Sequence, residues 1–200
     1  GIHDLQRSFS ANPKIISDHA IAFIRAHQEK KILNVIKHFP GHGSAKDDSH
    51  QGLPDITYSW SEKELIPYRN VLTRYPDTIV MLGHLMHKKY DEQYPASLSK
   101  KIVDTLLRGQ LGFSGVIMSD DLLMKAITKR YSFQESLISA INAGVDILLL
   151  NNNEVYDPKI FSKALELIEN AVKSGQIPID RINKSYKKIV DLKVKYQKKK

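Results

Sequence analysis

The sequence predicts an α/β fold with a parallel sheet, on two observations. Four short apolar segments of the strand type alternate with helical segments, and polar side chains collect directly after each apolar segment. Such alternation is typical of βα units whose sheet is covered on both faces. The strand segments are residues 32–36, 78–84, 115–120 and 146–150. Because a (β/α)8 barrel needs about 250 residues, this length predicts either an open sheet or half of a barrel.

Capping signals predict the first helices. Asn12 and Pro13 supply an N-cap and a first-turn proline, and apolar residues follow them at helical spacing. Residues 61–75 are predicted as the next helix because they begin with a capping-box pattern. A further helix is predicted over residues 98–108, and it ends before Gly112.

The later helices carry the same kind of signals. A second capping box at residues 132–135 begins a helix that is predicted to stop at Gly144. Asp157 is expected to cap a helix that Gly175 terminates, and Asp180 is expected to cap the last helix. Each pair of successive strand segments is therefore separated by a predicted helix, as parallel βα units require.

Composition excludes several classes of protein. The absence of cysteine excludes a disulfide framework and thiolate metal ligands, and the longest apolar runs are too short to cross a bilayer. Much of the net charge of +8 lies in the last helix and in a lysine tail at residues 197–200. No aromatic side chains are interleaved with it, as a nucleic-acid platform requires. We therefore expect no nucleic acid and no membrane span, while an acidic or anionic-sugar partner stays compatible with the charge.

A loop rich in histidine, aspartate and glycine follows the first predicted strand. Its polar groups cannot all be buried and paired, so the loop suits chemistry better than packing. Asp48 is able to fix the tautomer of His50 and leave the other ring nitrogen for acid–base catalysis. Lys37 and His38 supply donors for hydroxyl groups. An ordinary polar turn and a lysine that reaches solvent remain open alternatives.

Asp120 and Asp121 end the third predicted strand, at the edge where barrels and open sheets carry their sites. One carboxylate is able to act as a nucleophile or to stabilise a cationic centre, while the other caps the next helix. A metal site is a further alternative, because histidine and carboxylate suit zinc or iron, although no known ligand spacing is present. Its ligands would come from His42, Asp47, Asp48, His50 and His84.

The segment from Lys37 to Gly43, followed by Asp48-Ser49-His50, closely resembles glycoside hydrolase family 3 in its bacterial β-N-acetylglucosaminidase branch. Further matching segments are Arg7-Ser8-Phe9, Pro95-Ala96-Ser97, residues 112–122 and Ala143-Gly144-Val145-Asp146. The resemblance implies a (β/α)8 TIM barrel of which residues 1–200 supply the C-terminal half, strands 5 to 8 with their helices. It also implies that the N-terminal half exists as another segment or chain.

The resemblance implies a retaining β-N-acetylglucosaminidase that forms a covalent glycosyl-enzyme intermediate and needs no cofactor. Asp120 matches the family nucleophile, His50 its unusual acid/base and Asp48 the partner in that dyad. Residues 40–60 are expected to form a mobile catalytic loop, with a hinge at Gly41, Gly43 and Ser44. The residues that match those holding the N-acetylglucosamine are Arg7, Lys37 and His38.

The expected substrates are muropeptides or chitooligosaccharides that end in β-linked N-acetylglucosamine. Peptidoglycan recycling in a bacterial cytoplasm is favoured, with a periplasmic or exported protein as the alternative. Two other functions stay open from the residues. One is a metal-dependent barrel hydrolase that uses the histidine and aspartate cluster, and the other is a non-catalytic sugar-binding half-barrel.

Overall fold

The computed structural model describes residues 7–45, 52–153 and 155–197. These residues form a four-stranded sheet in the order β1-β2-β3-β4. The strands are β1 (Val35–Phe39), β2 (Ile79–Leu82), β3 (Ile117–Asp121) and β4 (Ile147–Leu149). Every pairing is parallel, and the spatial order follows the chain without the reversal that marks a doubly wound sheet. The predicted α/β class is confirmed, and the strand order is that of a (β/α)8 barrel.

Helices connect the strands. The first four are α1 (Pro13–Glu29), α2 (Leu65–Arg74), α3 (Lys100–Ile102) and α4 (Lys125–Thr128). The remaining three of the described region are α5 (Phe133–Ala143), α6 (Ile160–Lys173) and α7 (Ile179–Gln197). A 3₁₀ turn (Glu62–Glu64) precedes α2, and a π-helix (Val103–Gln110) continues α3. Within the described ranges, no helix has the length and apolar character that a membrane crossing needs. Of the predicted tail at residues 197–200, Gln197 ends α7 and residues 198–200 lie outside these ranges.

The first strand lies three residues further along the chain than predicted, at β1 instead of residues 32–36. After α1 the chain turns through Lys31, whose φ is +57°. The amide of Ile32 then donates to a carbonyl in the last turn of α1. Because Ile32 closes the end of the helix, it does not join the sheet. Lys37 and His38 consequently lie within β1 and not after it.

Two predicted N-caps are confirmed. The Asn12 side chain accepts a hydrogen bond from the amide of Lys14 at 2.9 Å, and the Ser132 hydroxyl accepts from the amide of Glu135 at 3.1 Å. Gly144 follows α5 with a φ of +107°, a conformation that glycine adopts without strain. These signals act over a few residues, which is why the sequence alone locates them.

Three other predicted helix starts differ from the structure. Ser61 makes no capping hydrogen bond, and Glu64, its expected partner, instead binds the loop after β1. Asp157 accepts from the amide of Lys159, so α6 begins only beyond that turn. Asp180 lies inside the first turn of α7 and not at its cap.

A buried carboxylate joins the last helix to the sheet. Asp146 accepts hydrogen bonds from the amide of Ile117 at 3.0 Å and from the Ser185 hydroxyl at 2.6 Å. It also pairs with Arg181 at 3.0 Å and with Lys188 at 3.5 Å, and its side chain is 0% exposed. Because Asp146 precedes β4 and both cations lie on α7, the network holds this helix against the amino-terminal edge of the sheet.

The Ser132→Ala variant is expected to lower the free energy of unfolding by about 1 kcal/mol, because the amide of Glu135 loses its cap. Ser61→Ala is the matched control, and its expected change is below about 0.5 kcal/mol. Denaturant unfolding of the full-length protein measures both values. Equal losses in the two variants would contradict the assignment of one serine as a cap and the other as none.

Candidate active site

Polar side chains from three strands meet at the carboxyl edge of the sheet. His38 lies on β1, His84 follows β2, and Asp120 lies near the end of β3. The Nε2 atom of His38 is 3.7 Å from Oδ2 of Asp120. Because the carboxyl ends of parallel strands face the same edge, ligand sites of α/β folds form there. The predicted residues His38 and Asp120 are therefore brought together in the candidate site.

The two neighbouring aspartates of β3 have different surroundings. Asp121 is buried, and its Oδ1 accepts from the amides of Leu123 at 3.1 Å and Asn151 at 3.0 Å. Asp120 instead accepts from the amide of Asp121 through Oδ1, and its Oδ2 faces His38 with 15% of the side chain exposed. Asp121 therefore holds the chain after β3 and the chain after β4, while Asp120 keeps a carboxylate oxygen at the site.

His38 is neutral near pH 7. Burial lowers its pKa to about 4, and the attraction of Asp120, which raises the pKa, only partly offsets that effect. Lys37, His42 and His84 lower it further. The separation of 3.7 Å from Asp120 is too long for a hydrogen bond, and Nδ1 is buried with no partner among the described residues. The imidazole of His38 therefore lies beside the Asp120 carboxylate without a hydrogen bond to it.

His84 links the end of β3 to the loop after β2. Its Nε2 carries the proton, because the carbonyl oxygen of Asp121, 2.8 Å away, only accepts. Nδ1 then accepts from the Ser97 hydroxyl at 2.7 Å. Burial lowers the pKa of His84, which is consistent with this neutral form. Both ring nitrogens are therefore committed to holding the end of β3 against the loop after β2.

The described beginning of the loop after β1 is firmly bonded. Trp60 donates from Nε1 to the carbonyl of Pro40 at 3.0 Å. The Glu64 carboxylate accepts from the amide of Gly43 at 3.2 Å and from the Ser44 hydroxyl. The sequence does not indicate this role of Glu64, because its spacing from Ser61 predicts a capping box. A hinge is predicted at Gly43 and Ser44, but both residues are bound to Glu64 in the 3₁₀ turn before α2.

Of the four remaining predicted site residues, the structure describes two. Arg7 and Lys37 are exposed. Asp48 and His50, the predicted dyad, lie outside the described residues, as do the other positions of the predicted mobile loop (residues 40–60) from 46 to 51. The peptide bonds Lys37–His38 and Phe39–Pro40 are cis.

The metal alternative loses one of its predicted ligands, because both ring nitrogens of His84 are already hydrogen-bonded. Asp47, Asp48 and His50 fall outside the described residues. In the part of the chain that the structure describes, no three histidine, aspartate or glutamate side chains are grouped so that they would hold a metal ion.

The fold and this edge define a protein of the βα-barrel class, with a carboxylate and a neutral histidine at the carboxyl ends of its strands. The chain belongs to glycosyl hydrolase family 3. Residues 4–192 match the family's N terminal domain, so the family predicted from the sequence is confirmed.

Relatives and solved structures agree with this assignment. The chain is 34% identical to the beta-hexosaminidase LpqI of Mycobacterium tuberculosis, over 94% of this chain and 48% of that protein. It is 38% identical to a beta-hexosaminidase of Tolumonas auensis, over 74% of this chain and 45% of that protein. A family 3 β-N-acetylglucosaminidase structure from Paenibacillus superposes with a TM-score of 0.88 at 32% identity, over 96% of this chain and 36% of that one. The chain thus spans less than half the length of these relatives.

Proposed function

We propose that this chain carries the catalytic residues of a retaining β-N-acetylglucosaminidase with Asp120 as the nucleophile. The observation that carries the proposal is the arrangement of Asp120, whose Oδ2 is not used by the backbone and faces the neutral His38 at 3.7 Å. A nucleophile needs a fixed position, and Asp120 lies on a paired strand. The proposal is supported by family membership and by relatives named beta-hexosaminidase and β-N-acetylglucosaminidase.

In the first proposed step, the Asp120 carboxylate attacks the anomeric carbon as the bond to the aglycone oxygen breaks. His50 donates a proton to that oxygen, so the aglycone leaves as an alcohol and the sugar stays on Asp120 as an ester. Most retaining glycosidases use a second carboxyl group about 5–5.5 Å from the nucleophile for this proton transfer. A histidine in its place, oriented by Asp48, avoids setting two negative charges against each other.

In the second proposed step, water attacks the anomeric carbon and the bond to Asp120 breaks. His50 takes the proton of the water, and Asp120 leaves as a carboxylate. Two displacements at the same carbon retain its β configuration. Each role of His50 uses one protonation state, and a pKa close to the working pH suits both.

His38 is proposed to bind a hydroxyl of the sugar in the innermost subsite. As a neutral imidazole it places no positive charge against Asp120, so the nucleophile is not weakened by an ion pair. Arg7 and Lys37 are the further proposed donors to the same sugar, and both are exposed and so accessible to it.

The proposed substrates end in β-linked N-acetylglucosamine, with muropeptides or chitooligosaccharides as their source and recycling in the bacterial cytoplasm as their setting. The name beta-hexosaminidase, which several bacterial relatives share, supports the sugar and the linkage. Release of N-acetylglucosamine from a muropeptide and from chitobiose would compare the two sources directly.

Trapping the intermediate tests the proposed nucleophile. Incubation of the full-length protein with a 2-fluoro-sugar that has a good leaving group is expected to label the peptide that contains Asp120. The label is located by mass spectrometry, and Asp121→Asn is the matched control that should still be labelled. A label on another residue would overturn the mechanism, and turnover that a chelator abolishes would favour the metal alternative.

A further inference from the structure

The loop after β1 begins with a segment, residues 41–45, which we call the loop stem. Glu64 belongs to the turn before α2 and reaches across to this stem. Its carboxylate accepts from the amide of Gly43 at 3.2 Å and from the Ser44 hydroxyl. Hydrogen bonds to a carboxylate are about twice as strong as those between neutral groups. The stem is therefore held by an element that lies about 20 residues further along the chain.

Gly41 brings the backbone of the stem close to Glu64. A Cβ atom at this position would lie 2.4 Å from Oε2 of Glu64 and 2.6 Å from its Cβ. The φ of Gly41 is +133°, which side chains rarely adopt. At Gly43 the same hypothetical atom would be 3.8 Å from Oε2, an ordinary contact. Only glycine therefore permits the approach of stem and carboxylate at position 41.

The stem carries a residue that packs against the candidate site. His42 lies between the two stem glycines and is buried. Its ring is 5.6 Å from the ring of His38, at 63°, and His38 faces Asp120. At its far end, Ala45 packs in a small apolar cluster with Ile56. The position of the stem thus determines how the His42 ring packs against His38.

We propose that Glu64 is a positioning residue, whose carboxylate holds the loop stem so that His42 packs on His38 and Ala45, the last residue of the stem, has a fixed position. This inference rests on the proposed function, because the residues that follow Ala45 include the proposed dyad. Burial raises the pKa of Glu64, and the hydrogen bonds from the stem offset only part of that rise. The carboxylate is therefore partly desolvated and directed at the stem.

The leaving group of the substrate separates positioning from simple stability. A dinitrophenyl group leaves with little help from an acid, whereas an alkyl alcohol needs full protonation. In the full-length protein, Glu64→Ala is expected to lower kcat/KM for a poor leaving group by about 100-fold, because small misplacements of a catalytic group cost that much. The same variant is expected to lose only about threefold with the dinitrophenyl glycoside. Glu62→Ala removes an exposed carboxylate from the same turn and is expected to leave both values unchanged.

Hydrogen exchange tests the hydrogen bonds from Gly43 and Ser44 to Glu64, which we call the Glu64 clamp, without the need for turnover. The amide of Gly43 is expected to exchange about tenfold faster in Glu64→Ala than in the parent, and at the parental rate in Glu62→Ala. Unchanged exchange would overturn the inference whether or not the protein is active. Equal losses of kcat/KM for both leaving groups would also overturn it, because they would point to a general loss of the folded enzyme.

Two further variants keep the inference testable if Glu64→Ala does not fold. Glu64→Gln keeps the volume and one acceptor, and is expected to fall between the parent and Glu64→Ala in both measurements. Gly41→Ala is expected to repeat the leaving-group pattern of Glu64→Ala, because its Cβ displaces the carboxylate. A parent that does not hydrolyse either glycoside, yet shows the exchange difference, would refute the proposed function and leave the clamp in place.

Discussion

The Asp120→Asn variant of the full-length protein is expected to lose about 10⁴-fold or more in kcat, because an amide does not form the glycosyl ester. That loss corresponds to about 5 kcal/mol of activation free energy. The fold is expected to persist, since the amide of Asp121 donates to Oδ1 and asparagine keeps an oxygen that accepts there. Steady-state kinetics with an aryl N-acetylglucosaminide and thermal unfolding measure the two effects.

Asp121→Ala is the matched control and is expected to show the opposite pattern. Its carboxylate accepts from the amides of Leu123 and Asn151, so its removal leaves two buried donors and costs about 2–3 kcal/mol of stability. An Asp120→Asn protein that keeps more than about a tenth of the parental kcat would contradict the assigned nucleophile.

The Asp146→Ala variant is expected to lower the free energy of unfolding by about 3 kcal/mol, because it leaves two partly buried cations and a backbone amide without their partner. Asp146 is 0% exposed and pairs with Arg181 and Lys188, and it also satisfies the amide of Ile117. Loss of this one side chain therefore weakens the attachment of α7 and the start of β3 together. Denaturant unfolding of the full-length protein measures the change.

Asp191→Ala tests whether burial causes that effect. Asp191 lies on α7, as Arg181 and Lys188 do, and pairs with Lys187 at 3.0 Å. Its side chain, however, is 63% exposed. Exposed ion pairs contribute at most about 1 kcal/mol, so this variant is expected to unfold close to the parent. If both variants lost equal stability, the buried network would not be the cause.

The sheet and the order of its elements were predictable, because apolar strands and capping residues act through neighbours in the chain. For this reason Ser132 begins α5 and Gly144 ends it, as predicted. The start of β1 was not predictable, because Ile32 is as apolar as a strand residue but its amide closes the end of α1. Apolarity does not distinguish the two outcomes.

The site was predictable in kind but not in the division of roles. The sequence places Asp120 and Asp121 at a strand end, but only the fold brings the amide of Asn151 to Asp121 and leaves Asp120 beside His38. Similarly, the spacing of Ser61 and Glu64 is that of a capping box. The donor that Glu64 binds instead, the Ser44 hydroxyl on the loop stem, lies 20 residues away in sequence, and no local pattern indicates it.

The clamp on the loop stem limits how this part of the enzyme can be transplanted. Glu64 holds the stem, and Trp60 holds Pro40 directly before it; both residues lie beyond the segment itself. A graft of residues 37–51 alone into another barrel would bring the proposed acid/base dyad without the groups that bind the backbone before it. Loop exchange between family members should therefore move the whole span from β1 to the start of α2, or choose a recipient that already has an acid and an indole at these positions.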